Sequence, residues 1–356
     1  MERRRFLKAG AAAAAAVVAG CASNPITAPK PLSLFTRRKR GFNLLEKFTT
    51  GQNAPYRESD FMWMAGWTFD FVRLPMSYHC WSDPGDWLTL DEKVLKEIDQ
   101  AVEFGRQYGI HVNLNLHRAP GYCVNPPAEP MSLWKDPPAL EACAYHWKHF
   151  AERYKGIPND RLSFDLLNEP PDIPESDYVR IMARLAGAIR EADPDRLIVV
   201  DGLKWGREPV FGLAGLGLAQ STRGYDPMRI SHYQANWVSG SDAWPLPTWP
   251  LVVKPNDFWN KERLRKERIL PWKKLEQAGV YVHVGEWGAY NRTPHTVVLK
   301  WMEDCLSLWK EAGWGWALWN LRGSFGILDS GRKDVPYEDF QGHRLDRRML
   351  ELLLRI

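Results

Sequence analysis

Two stretches decide how this chain is read: Leu162-Ser-Phe-Asp-Leu-Leu-Asn168-Glu169-Pro170 and Val280-Tyr-Val-His-Val-Gly-Glu286-Trp287-Gly288. Each is an apolar run of strand length that ends on a carboxylate beside Pro or Gly, residues that break a strand. One glutamate in such a place is more often a solvated loop residue. Two of them, framed by Asn-Pro and Trp-Gly, read as a carboxyl pair delivered at strand tips.

Working outward, the chain repeats one unit. A helical pattern through Val94, Ile98, Ala101, Val102 and Gly105 stops at Gly109, and Ile110-His-Val-Asn-Leu-Asn-Leu116 follows as a strand. The junction recurs as Ala278-Gly279-Val280, as Ala312-Gly313-Trp314 and in outline as Ala65-Gly66-Trp67. Glycine after a helix takes the left-handed conformation that turns the chain into the next strand. A further helix through Tyr178, Ile181, Met182, Leu185 and Ile189 stops at Asp193-Pro194 before Leu197-Ile-Val-Val200. Strands are expected to begin near Gly41, Phe69, Ile110, Leu162, Leu197, Arg229, Val280 and Gly315. Eight strands alternating with helices close most simply as an α/β (β/α)8 barrel, a single catalytic domain over residues 37–356. A doubly wound open sheet is the alternative, weakened because no Gly-rich phosphate loop follows the first strand. The stretch Gln234–Trp272 is too long for a plain loop and helix, and reads as a cover over the barrel mouth.

The chain has 356 residues, 45% hydrophobic and 25% charged, which is ordinary for a globular protein. Of its net charge of +4, three charges lie in the first twenty residues, where Arg3, Arg4, Arg5 and Lys8 face Glu2. The remainder is nearly neutral, so no basic face for nucleic acid is implied. Residues 1–20 combine that charged start with a short alanine-rich stretch and small residues, the pattern of an export signal and too short to span a bilayer. Arg3-Arg4 with Phe6-Leu7-Lys8 resembles a twin-arginine signal, and Val18-Ala19-Gly20-Cys21 resembles a bacterial lipobox. Cys21 is then the lipidated first residue, Ala22 resembles outer-membrane sorting, and residues 21–36 form a tether; an ordinary cut near Ala19 is the alternative. Four cysteines remain, Cys80, Cys123, Cys143 and Cys305, without metal-like spacing. They are buried thiols or a disulfide framework in which Cys80 and Cys123 could meet.

In a barrel, the C-terminal strand ends converge. That rule gathers Arg73, His117, Asn168-Glu169, His232-Tyr233, Glu286-Trp287 and Trp319-Asn320. With Phe71-Val-Arg73-Leu-Pro75, Asn115-Leu-His117, Leu167-Asn-Glu-Pro170, Gly285-Glu-Trp-Gly288, Trp316-Ala-Leu-Trp319 and the ending Gly326–Asp346, the chain resembles the cellulase-like glycoside hydrolase family 5, retaining (β/α)8 enzymes.

The resemblance implies a retaining O-glycosyl hydrolase that needs neither metal nor cofactor, with Glu169 as acid/base and Glu286 as nucleophile. It places Arg73 near the nucleophile, Asn168 on the sugar 2-hydroxyl, His117 against the same sugar, and the Trp319 ring under the sugar's apolar face. His232 or Tyr233 takes the part of the family's usual His-x-Tyr after the sixth strand. The chain reads Ser231-His-Tyr-Gln234, so only one of the two can keep that register unless a bulge intervenes. Asp165 and His283 read as interior polar residues. Trp81, Trp87, Trp134, Trp205, Trp237, Trp244 and Trp249 fall on loops after the strands, where indole rings could stack on sugars or simply pack. The expected partner is a β-linked glucan, polymer or oligosaccharide, met by a monomer that touches a membrane through its lipid alone. A β-mannanase or an exo-acting β-glucosidase stands close behind, and an inactive lipid-anchored glycan binder is the rival of another class.

Overall fold

The computed structural model describes residues 38–355, so the readings of residues 1–36, Cys21 included, lie outside the described residues. Among them, eight parallel strands close a barrel: β1 Arg40–Asn43, β2 Phe71–Ser77, β3 His111–Ala119, β4 Leu162–Asp165, β5 Ile198–Asp201, β6 Ala219–Gly224, β7 Val282–Trp287 and β8 Trp316–Leu318. Each pairs with the next, and β8 returns to β1. The outer layer is α1 Glu58–Gly66, α2 Glu92–Tyr108, α3 Pro137–Arg153, α4 Glu175–Ala192, α5 Leu270–Gln277, α6 His295–Ala312 and α7 Arg347–Arg355. One long helix follows each strand except β5, whose connection holds a four-residue helical turn, Leu203–Gly206, and a 3-10 helix, Phe211–Leu216. This is the (β/α)8 barrel expected from the repeats.

The α2 unit shows how local sequence builds the layer. Asp91 caps the helix by accepting from the Lys93 N–H at 2.8 Å, a cap worth about 1 kcal/mol. Val94, Leu95, Ile98, Ala101 and Phe104 then face the barrel and are buried. Gly109 ends the helix at φ 68°, where a side chain would be strained. Gly279 and Gly313 do the same at φ 84° and 82°. At the first junction the left-handed residue is Thr68, φ 66°, rather than Gly66.

The sixth strand is a correction. Arg229 lies in a single helical turn, Met228–Ser231, and the strand is Ala219-Gln-Ser-Thr-Arg-Gly224. Gln220, Ser221, Thr222 and Arg223 are all buried although polar. Ser221 and Arg223 point into the polar barrel interior, while Gln220 and Thr222 point outward and bond the backbone of Val210 and Gly206, so the strand lacks the apolar alternation that marks a strand in sequence. The Met228-Arg-Ile230 alternation mimics it instead.

The stretch after β6 covers the mouth only in part. Trp237 sits there against Tyr290 and Phe325. Farther on, the Trp249 indole N–H donates to Asp304 on α6 at 2.8 Å, and the hairpin of Leu251–Lys254 with Asp257–Trp259 follows. Cys80, Cys123, Cys143 and Cys305 are free thiols, which sets the disulfide alternative aside. No helix among the described residues is long and apolar enough to cross a membrane.

Candidate active site

The barrel interior carries polar side chains toward the C-terminal mouth. Arg73 on β2 is 1% exposed and uses its whole guanidinium inside the protein. Its Nε–H donates to Asp165 at 2.7 Å, Nη1 to Glu286 Oε1 at 2.5 Å and Asn43 at 3.1 Å, and Nη2 to Asn168 Oδ1 at 2.9 Å. Asp165 is therefore an interior partner of Arg73. Burial and the neighbouring Asp201 push its carboxyl up to about 7, against the two guanidiniums. His283 is likewise interior, its ring 4.6 Å from Phe71.

Glu286 lies within β7. The pairing with β6 shifts between Val284 and Glu286, which sets Glu286 opposite Arg223. Its Oε1 accepts from Arg73 and from Arg223 Nη2 at 3.3 Å, and its Oε2 accepts from the Tyr225 hydroxyl at 3.2 Å. Burial alone raises a carboxyl's pKa, but Arg223 and Arg73 overcome it here and hold Glu286 below the ordinary carboxylate range.

Glu169 stands four residues beyond the end of β4 at φ 47°, a left-handed conformation that costs a non-glycine residue about 1–3 kcal/mol. The strain is held by the Glu169 N–H donating to Asp201 at 2.8 Å and by the Tyr122 hydroxyl donating to the Glu169 carbonyl at 2.6 Å. The side chain is 18% exposed against 4% for Glu286, so it reaches farther into the mouth. Its Oε1 accepts from Arg223 Nε at 3.0 Å. Burial first, then the Glu286 charge, raise its carboxyl to about 7, against the pull of Arg223. Two carboxyl groups in one mouth thus have opposite tendencies, one toward holding a proton and the other toward ionisation.

Around them, His117 Nε2 bonds Asn125 Oδ1 at 2.8 Å, while its Nδ1 and the Asn168 side-chain nitrogen are buried without partners. Burial lowers His117 to about 4, so it is neutral at physiological pH. Trp319 is half-buried, with its ring 5.8 Å from that of His117, and Phe48 packs against both. The structure therefore brings Arg73, His117, Asn168, Glu169, Glu286 and Trp319 together.

His232 and Tyr233 need correction. The phenol that meets Glu286 is Tyr225, directly after β6. Tyr233 is buried, and its hydroxyl accepts from Gln234 at 3.2 Å. His232 caps the turn after β6, bonds Ser231 Oγ at 2.8 Å and packs edge-on behind Tyr225. With β6 moved to 219–224, the family's His-x-Tyr falls on Arg223-Gly224-Tyr225. Sequence reasoning missed Arg223, Tyr225 and Asp201. Asp201 was findable, since it closes Leu197-Ile-Val-Val200 just as Glu169 and Glu286 close their apolar runs.

The loop tryptophans divide. Trp81 and Trp249 are buried and structural, Trp87, Trp134 and Trp244 are half-buried, and Trp205 and Trp237 are 42% and 54% exposed. Trp205 adjoins the loop that carries Glu169, its backbone N–H donating to the Pro170 carbonyl at 2.8 Å.

A model of the cellulase family, glycosyl hydrolase family 5, matches residues 38–324. The chain belongs to that family. Endoglucanase C of Acetivibrio thermocellus is 26% identical over 305 residues, 79% of this chain and 88% of that one. Cellodextrinase A of Ruminococcus flavefaciens is 27% identical over 253 residues, 69% of this chain and 73% of that one. A crystal structure of a glycoside hydrolase superposes with a TM-score of 0.85 at 41% identity, covering 89% of this chain and 99% of that one. An endoglucanase of Thermotoga maritima shares the fold, with a TM-score of 0.71 at 22% identity and coverage of 90% and 99%. The family match ends before the C-terminal hairpin of Glu338–Phe340 and His343–Leu345.

Proposed function

We propose that this glycosyl hydrolase cleaves β-linked glucan, acting as an endo-β-1,4-glucanase by double displacement with retention. The observation that carries the reading is the opposed bias of Glu169 and Glu286 in one mouth. In the first step a Glu286 oxygen attacks the anomeric carbon as the bond to the leaving oxygen breaks. Glu169 gives its proton to that oxygen, leaving a glycosyl ester on Glu286. In the second, Glu169, now a carboxylate, takes a proton from water. The water oxygen attacks the same carbon, and the ester bond breaks to restore Glu286.

The other residues have matching parts. Arg223 and Arg73 hold Glu286 ionised, and the Tyr225 hydroxyl helps to orient it. The unpartnered nitrogens of Asn168 and His117 are free for sugar hydroxyls, and Trp319 offers a ring to the sugar's apolar face. The endoglucanase relatives support glucan as substrate, and the exposed Trp205 and Trp237 supply further stacking planes at the mouth. Residues 1–21 support export and lipidation at Cys21, which would hold the enzyme at a membrane surface.

Proton NMR of the first sugar released from an aryl β-cellobioside tests the mechanism. A β-configured product is expected; an α-configured one would refute double displacement.

A further inference from the structure

Arg223 takes the place that the resemblance gives to the histidine of His-x-Tyr, and it is closely packed on every side. Gly206 and Gly285 flank it: a Cβ on Gly206, itself at φ 73°, would lie 2.7 Å from Arg223 Cγ, and one on Gly285 would lie 2.4 Å from Ser221 Oγ and 2.9 Å from Arg223 Nη1. All five guanidinium N–H groups have acceptors inside the protein. Nε–H donates to Glu169 at 3.0 Å, and Nη1 to Asp201 Oδ1 at 2.9 Å and Ser221 at 3.0 Å. Nη2 donates to Asn168 at 2.8 Å, to Glu286 at 3.3 Å and to Asp201 Oδ2. Nothing remains for a substrate, and the residue is 3% exposed. Its work is therefore done through the groups it holds.

A permanent cation against Glu169 opposes the protonation that an acid catalyst needs. Histidine can shed its charge and arginine cannot. Asp201, fully buried, meets Arg223 through both oxygens and also accepts the Glu169 N–H. We infer that the Arg223–Asp201 pair is a positioning device in which Arg223 fixes both catalytic carboxyls and Asp201 cancels enough of its charge for Glu169 to carry a proton. The inference rests on the acid/base reading of Glu169.

Of the other groups facing Glu169, only the Glu286 carboxylate adds to this balance, on the same side as Asp201. Tyr122 and Cys123 after β3, and Tyr225 after β6, are pushed upward by burial and stay neutral near pH 7. Glu286 on β7 stays ionised. Arg73 on β2 is engaged with Asp165, at the end of the strand that leads to Glu169, at 2.7 Å.

The test is the pH dependence of kcat/KM on an aryl β-cellobioside, with thermal unfolding to confirm that each variant folds. Asp201→Asn keeps an acceptor for the Glu169 N–H but unmasks Arg223. The alkaline limb should move to lower pH by about one unit, the small end of what a neighbouring charge produces. Arg223→Gln should move it by a similar amount to higher pH, and the double variant should return it near the wild-type position. Arg223→Lys keeps the charge without the fork, so the limb should stay while kcat falls at least about tenfold. If Arg223→Gln does not fold, Asp201→Asn and Arg223→Lys carry the test. A folded Asp201→Asn enzyme with an unmoved limb, or Asp201 and Arg223 variants shifting the same way, would overturn the inference. Glu169→Ala, run alongside, separates the two claims. Without azide rescue, the acid/base reading fails and takes this inference with it. With rescue and an unmoved limb in Asp201→Asn, only the inference fails.

Discussion

Replacing Tyr225 by Phe tests the corrected site directly. Its hydroxyl donates to Glu286 Oε2 at 3.2 Å. A hydrogen bond to a charged acceptor is worth about 1.5–3 kcal/mol, and at this length the lower figure applies. The loss should not fall equally on the two steps. In the first, Glu286 gives up charge as it attacks, so the bond is at least as strong in the ground state, and removing it changes kcat/KM by less than about threefold. In the second, charge returns to Glu286 as the ester breaks, and the missing donor raises the barrier. About 1.5 kcal/mol there corresponds to roughly a tenfold fall in rate. With a dinitrophenyl β-cellobioside, whose first step is fast, kcat should drop about tenfold, KM should drop with it, and the pre-steady-state burst should sharpen. Tyr233→Phe, which loses only a contact with Gln234, should change kcat by less than about twofold. A wild-type kcat in Tyr225→Phe beside a tenfold loss in Tyr233→Phe would refute the reassignment of the sixth strand's tyrosine.

Glu286→Gln should remove turnover by many orders of magnitude while leaving the unfolding temperature and cellobiose binding close to wild type, because no other group can form the ester; calorimetry and a sensitive fluorogenic assay check this. Glu169→Ala should lose roughly 10²–10⁴-fold on a poor leaving group and far less with dinitrophenolate, with azide yielding a β-glycosyl azide detectable by mass spectrometry. Wild-type kcat/KM should fall as pH rises through about 7, because burial and Glu286 raise the Glu169 carboxyl there and its proton is lost above that point; the acid side should hold until below the usual carboxylate range, where Glu286 is neutralised. Cys21→Ser should shift the enzyme from the membrane to the soluble fraction of its cells, and an unmodified wild-type protein free in the medium would refute the anchor.

Much of the barrel was legible because its helices must bury an apolar face and stop at glycine, as α2 does at Gly109. Glu169 and Glu286 were legible because apolar strands lead into them. The sixth strand was not, since it carries polar side chains on both faces, Ser221 and Arg223 inward and Gln220 and Thr222 toward the connecting backbone, and so has no apolar period. Once that strand was placed ten residues late, Tyr233 took the role that belongs to Tyr225. No sequence pattern could show that Asp201 and Arg223 meet, because their pairing depends on the register of β5 against β6.

The two glycines beside Arg223 constrain how such a mouth can arise by single substitutions. Introducing arginine where Gly206 or Gly285 bore a side chain would create a collision, and introducing it before Asp201 would strand a charge in the interior. The glycines and the aspartate must therefore come first, with arginine last. Reversal is obstructed too, because histidine restored alone would leave Asp201 without its bidentate partner. Descendants of this chain should keep Arg223 and Asp201 together or lose them together, whereas Gly206, at φ 73°, and Gly285, against Ser221, are held by further constraints of their own.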